Sequence, residues 1–220
     1  MNIHHRHDWN LTPPEAIALQ KRMAVEIIDN LPLDLGAIKL VAGVDVSVKD
    51  NVSQAAVVVL SYPDLHVIET VQAHAPTPFP YIPGLLSFRE GPVLETAFGQ
   101  LQHEPDVFIF DGMGIMHPRR LGIASHMGLW LERPTIGCGK TKLVGHFQEP
   151  DSHRGASSPL IHKGEKLGVV LRTRDRVKPV FISVGHKADL DTSVELILNC
   201  TPRYRLPEPI RQAHRAAGRF

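Results

Sequence analysis

In residues 12–29, TPPEAIALQKRMAVEIID, apolar positions recur at helical spacing behind Thr12 as N-cap, Pro13 at the first helical position and Glu15 three residues after the cap. An N-terminal helix is expected there. Three β-branched runs follow, IKLVAGVDVSV, QAAVVVLSY and LHVIETVQAHA, separated by the polar KDNVSQ and by the turn-forming SYPD, and they predict an antiparallel meander. Pro92 is expected to open a helix through VLETAFGQLQ, after which DVFIFDG is a short apolar run emptying into a loop at Asp-Gly. RLGIASHMGLWL is expected as a helix, PTIGCG as a short strand, KLGVVLRT and KPVFISVG as a strand pair, and DTSVELILNC and PEPIRQAHRAA as helices. Strands first, then alternating strands and helices, predict a single α/β domain with a mixed sheet flanked by helices.

At 220 residues the chain is long enough to bury a core without disulfides or a structural metal. Its two cysteines, Cys138 and Cys200, have no CxxC or Cys/His zinc spacing and are expected to be reduced. MNIHHRHDWN carries no apolar leader-like run, and no apolar stretch approaches bilayer-spanning length; a soluble, cytoplasmic, monomeric protein with no membrane partner is expected. Residues 1–10 are expected to be a mobile tail, although His4, His5 and His7 together offer metal-ligating nitrogens.

A net charge of +1 excludes a histone-like polycation, but the distribution is uneven: TPRYRLPEPIRQAHRAAGRF holds five arginines against Glu208 alone. Such clusters suit phosphate contacts or a solvated helix face. Asp45 lies inside an apolar strand and Asp111 ends another, and a carboxylate so placed must be paired, hydrogen-bonded or bound to a cation. If the two strands are neighbours and Glu90 swings in from the segment before Pro92, three carboxylates converge. An all-oxygen anionic cluster suits a hard divalent ion and phosphodiester cleavage; each acid taken singly also suits a structural ion pair, with Arg89 or Lys140 as partner. Lys140 follows a glycine-flanked strand end, yet no Walker A loop is present. Arg89, His117, Arg119 and Lys142 are candidate phosphate contacts, and Gly112 and Gly114 suit a tight loop. His214 lies among Arg211, Arg215 and Arg219 on the last helix, where a neutral imidazole could accept a proton or bind an ion.

The blocks PYIPGLLSFREGP, FDGMGIMHPRRLGIASHMG, GKTKLVG and YRLPEPIR, in this order, closely resemble the endonuclease V family of DNA repair nucleases. The resemblance implies a ribonuclease-H-like fold and a Mg2+-dependent nuclease, with Mn2+ able to substitute. Such an enzyme nicks DNA at deoxyinosine, at the second phosphodiester bond 3′ to the lesion, leaving a 3′-hydroxyl and a 5′-phosphate. It matches the family's metal acids to Asp45, Glu90 and Asp111, its catalytic lysine to Lys140, and its late His or Asp to His214. Pro80, Tyr81, Ile82 and Pro83 match a wedge loop, whose prolines would fix the backbone before binding so that no loop entropy is lost on entering the stack. Gly84, Leu86, Gly112 and Gly122 match the walls of a pocket for the extruded base. The chain departs from the pattern at Met113, where relatives commonly carry a polar residue, and at GCGK in place of GVAK, which bears on pocket polarity and lesion preference. Inosine-containing RNA is the alternative substrate, and a non-cleaving lesion-binding protein the alternative class.

Overall fold

A computed structural model describes residues 1–218. Strands β1 (Leu40–Lys49), β2 (Val52–Ser61) and β3 (Val67–Pro76) form the expected antiparallel meander. Strands β4 (Val107–Phe110) and β5 (Thr135–Gly139) then add parallel to β1, followed by antiparallel β8 (Val180–His186), β7 (Glu165–Leu171) and β6 (Ser157–His162). The sheet has eight strands in the order β3-β2-β1-β4-β5-β8-β7-β6, so the expected α/β class with a mixed sheet stands. Strand β6 escapes the sequence reading because Pro159 interrupts its pattern; an edge position tolerates a residue with no N–H to donate.

The strand period of two assigns each side chain to a face. Ala42, Val44, Phe108 and Phe110 belong to the core under helices α1 (Pro13–Met23), α2 (Leu86–Gly99) and α3 (Ile123–Leu131). Val41, Val107 and Ile109 belong to the opposite core, under α4 (Leu190–Asn199) and α5 (Glu208–Ala217). Helix α1 begins as expected, with the Thr12 N–H donating to the Glu15 carboxylate at 2.8 Å. Among the described residues no helix is long and apolar enough to cross a membrane.

Two expectations are corrected. Helix α2 begins at Leu86, so Pro92 lies inside it rather than opening it. Proline normally clashes with the Cβ of the residue before it, but that residue is Gly91, and the missing Cβ also admits the Trp9 indole, which an added methyl would meet at 2.2 Å. Residues 1–10, expected to be mobile, are packed: Trp9 stacks on Trp130 with centroids 4.7 Å apart and donates to Glu95 at 2.8 Å, while the His4 N–H donates to the Trp130 carbonyl at 2.7 Å. Among the described residues, the histidines of this segment belong to no metal-binding group; His7 instead touches His126, Trp9 and Trp130.

Candidate active site

Asp45 lies in β1 and Asp111 immediately follows β4, and the parallel register that pairs Val44 with Phe110 places the two acids level with one another. The Asp111 N–H donates to the Val44 carbonyl at 2.9 Å, which continues the ladder one step beyond the strand. Both acids share the parity of Val41 and Ile109, and therefore face α5. From α5, His214 donates its Nδ1–H to Asp45 Oδ2 at 2.8 Å. Ligand atoms of Asp45, Asp111 and His214 lie within 4.8 Å of one another, the geometry of a metal-binding group. Lys140, just past β5, places its ammonium against Asp111 Oδ2.

Glu90 arrives from α2, on the other face of the sheet, and stands beside this group rather than inside it. Burial first, and then the negative charges of Asp45 and Asp111, push its carboxyl up to about 8, against a smaller opposing pull from Arg89. Burial and Asp111 likewise raise Asp45, while His214 and Lys140 oppose the shift. Three carboxyl groups drawn this close repel one another in a poorly solvated place, a charge arrangement that a divalent cation relieves.

A cavity of about 310 Å³ adjoins the acids and shares Asp111 and Lys140 with them. The pocket residues expected from the sequence, Gly84, Leu86, Gly112 and Gly122, all line it, as do Tyr81, Ile82 and Pro83. Of the four residues expected as a wedge, Tyr81 stands out into solvent with 71% exposure, whereas Ile82 leans on the core under α1 to α3. Gly84 turns the loop with a φ of +81°, a conformation that favours glycine. Its carbonyl accepts from Gln20 Nε2 at 3.0 Å, His117 Nε2 at 3.0 Å and Arg119 Nη2 at 2.7 Å.

The candidate phosphate contacts are thus placed in two ways. His117 and Arg119 direct donors at Gly84, and Arg89 donates to the Phe79 carbonyl at 2.7 Å, so these three brace the two ends of the loop that carries Pro80 to Pro83. Burial and Arg119 lower the His117 pKa to about 4. Its Nδ1 accepts the Arg119 N–H at 3.2 Å, which leaves Nε2 as the protonated nitrogen of a neutral ring. Lys142 is exposed, its ammonium 6.0 Å from the Phe147 ring centroid. Around His214, Arg211 pairs with Glu208 and lies 3.4 Å from the Tyr204 ring centroid; Arg219 lies outside the described residues.

The structure also explains the two departures in the loop as one packing unit. A Cβ at Gly139 would meet Met113 Cε at 2.3 Å, so the absence of a side chain at 139 makes room for the long thioether at 113, which lines the cavity. Cys138 is buried and its thiol is pushed far up by desolvation, which suits packing rather than nucleophilic attack.

Supports of the site escaped the sequence reading. Gln54 and Gln72 both donate to the Ala216 carbonyl, at 2.9 and 2.7 Å, and so tie the end of α5 to β2 and β3. Gly43 lets α5 approach, since a Cβ there would stand 2.0 Å from the Pro209 carbonyl oxygen. Arg205 donates to the carbonyls of Lys140 and Pro179, each at 2.8 Å, and steadies the backbone that carries the lysine. Gln54 was hidden at the end of the polar stretch KDNVSQ, although the structure buries it in β2, and Arg205 was hidden among equivalent-looking arginines.

Comparison with known proteins gives the chain's family and fold. The family model for Endonuclease V matches residues 20–215. The Endonuclease V of Nostoc punctiforme is 49% identical over 220 residues, covering 99% of each chain. The crystal structure of the Streptomyces avermitilis Endonuclease V superposes with a TM-score of 0.92 at 38% identity, covering 100% of this chain and 97% of that one. A Ciona intestinalis Endonuclease V, crystallised with a 23mer DNA containing an inosine followed by a ribo-adenosine, superposes with a TM-score of 0.83 at 28% identity, covering 94% and 97% of the two chains. With a family model matched across most of its length and relatives aligned from end to end, this chain belongs to the Endonuclease V family.

Proposed function

We propose that the protein is a Mg2+-dependent DNA repair endonuclease that recognises deoxyinosine. It hydrolyses the second phosphodiester bond 3′ to the lesion and leaves a 3′-hydroxyl and a 5′-phosphate. The observation that carries this reading is the contiguity of three features: the Asp45, Asp111 and His214 group, the Lys140 ammonium, and a cavity bordered by Tyr81. The Ciona relative bound to inosine-containing DNA supports the choice of base.

The donor set of two carboxylates and an imidazole, with Glu90 alongside, fits a divalent cation rich in oxygen ligands. Asp45, Asp111 and His214 would hold Mg2+, or Mn2+ in its place, with Glu90 as a further carboxylate. When bound, the ion supplies Lewis acidity toward the phosphoryl oxygens and lowers the pKa of water. Lys140 adds a fixed positive charge beside Asp111, where an anionic phosphate oxygen gains from it. Tyr81 enters the stack at the space left by the extruded base, which then occupies the cavity beneath it. Base–aromatic stacking returns about 1 to 3 kcal/mol against an unstacking cost of a few kcal/mol.

Nicking of end-labelled deoxyinosine oligonucleotides with Mg2+, with the product ends mapped, tests this directly. Asp111→Asn should lower nicking by about a hundredfold or more while binding persists. Cleavage by this variant at the wild-type rate would overturn the site. Matched inosine RNA belongs in the same assay, because the ribo-adenosine after the inosine in the Ciona complex favours that second reading. Preference for the RNA would make it the substrate.

A further inference from the structure

One wall of the cavity is connected to the amino-terminal segment by hydrogen bonds that the cleavage chemistry does not use. Ser87, at the start of α2, lines the cavity, and its Oγ lies 2.8 Å from His126 Nδ1. The other nitrogen of that ring, His126 Nε2, lies 2.7 Å from His7 Nε2. His7 Nδ1 lies 2.9 Å from the Asp8 carbonyl oxygen. His126 and Ser87 are fully buried or nearly so, so each bond must have one donor and one acceptor.

The direction of the whole chain follows from its outer end. A carbonyl oxygen only accepts, so His7 Nδ1 carries the proton. Desolvation holds His7 below the usual histidine range, against the opposing pull of Asp8 and Glu95, so the ring is neutral at physiological pH and its Nε2 is a bare acceptor. His126 Nε2 must then donate to it. Burial drives His126 even further from protonation, so its Nδ1 is a bare acceptor as well. The Ser87 hydroxyl has one hydrogen, and it is committed to that nitrogen. Only lone pairs remain on Ser87 Oγ.

Resting on the base-pocket reading above, we infer that Ser87 is a specificity-determining residue. Held by His126, its oxygen acts toward the cavity only as an acceptor, favouring a base edge that carries a ring N–H. Hypoxanthine offers such a group in its lactam N1–H. Adenine offers a lone pair at the same ring position, and two acceptors facing one another repel. His126 and His7 are positioning residues, acting through the hydroxyl rather than by touching the base.

The test is a binding measurement on two single-stranded oligonucleotides that differ only in deoxyinosine or deoxyadenosine at one position. Single strands remove any difference in pairing, and a chelator prevents cutting. The wild type should favour deoxyinosine. Ser87→Ala removes the acceptor, and His126→Phe frees the hydroxyl to donate; each should reduce the deoxyinosine-to-deoxyadenosine affinity ratio by roughly 2- to 10-fold, the span of one hydrogen bond. A purely structural role would weaken both strands equally, and an unchanged ratio in Ser87→Ala would overturn the inference. Ser87→Ala decides the matter if the buried His126→Phe fails to fold. A wild type with no preference for deoxyinosine would instead remove the base-recognition reading itself, and this inference with it.

Discussion

A carboxyl group that must be both buried and close to two other carboxyl groups resists ionisation, and Glu90 is that group, with its pKa pushed up to about 8. Its folded value lies above its ordinary value, so it stabilises the fold at pH below about 4.5, and that contribution is lost as pH rises toward about 8. His117 works in the opposite sense: its pKa is lowered from 6.5 to about 4, so its contribution is present above 6.5 and lost as pH falls through that window. Between about pH 6.5 and 8 the slope from Glu90 is unopposed by His117. Without metal, the wild type should therefore lose up to about 2 kcal/mol relative to Glu90→Gln across that interval. Chemical denaturation of both proteins in chelator, at a series of pH values, measures it, and parallel pH profiles would refute the assignment. Tyr81 presents the contrasting case of an apolar ring left in solvent with 71% exposure. Tyr81→Ala should weaken binding to deoxyinosine DNA by about 5- to 100-fold, from the stacking it forfeits, while leaving metal affinity unchanged. Titrations of DNA and of Mg2+ against the same variant separate the two effects.

Between elements, the decisive contact is that of α5 with β1. The helix carries His214 to Asp45, and it approaches closely because Gly43 has no side chain to hold it away. Gly43→Ala should destabilise the protein by about 1 to 3 kcal/mol through overpacking, and should also weaken Mg2+ activation by shifting His214 away from Asp45. Urea unfolding and Mg2+ titration of nicking check the two halves. If stability falls and the Mg2+ dependence does not move, His214 is not held by this contact. The pattern IKLVAGVDVSV was readable as a strand with a misplaced acid, but nothing in it named the helix that would cover position 43. Helix α2 was misjudged at its start: Pro92 normally marks a helix boundary, but the residue before it is Gly91, which has no Cβ for the proline ring to meet, and the helix begins at Leu86 and runs through both.

For the molecule as a whole, residues 1–10 extend the core rather than trail from it. Trp9, stacked on Trp130 and bonded to Glu95, closes over α2 and α3. Trp9→Ala should cost about 2 kcal/mol, less than for a fully buried indole because the ring remains partly exposed, as denaturant unfolding will show. An unchanged midpoint would return this segment to the status of a loose tail. The residue patterns alone determined the meander, the later strands and helices apart from β6 and the start of α2, and the acids placed too deep in apolar runs to be idle, because period and burial cost are local properties of a sequence. The resemblance of four blocks to one family supplied the matching of Asp45, Glu90 and Asp111 to a metal site. Only the tertiary structure decided that His214 joins Asp45 and Asp111 in one group of ligand atoms, that His117 and Arg119 hold Gly84, and that a hydrogen-bonded chain runs from His7 to Ser87. Those outcomes depend on which helix covers which face of the sheet and on contacts between residues distant in sequence, from Gly84 and His117 to His7 and His126, and no local pattern encodes them.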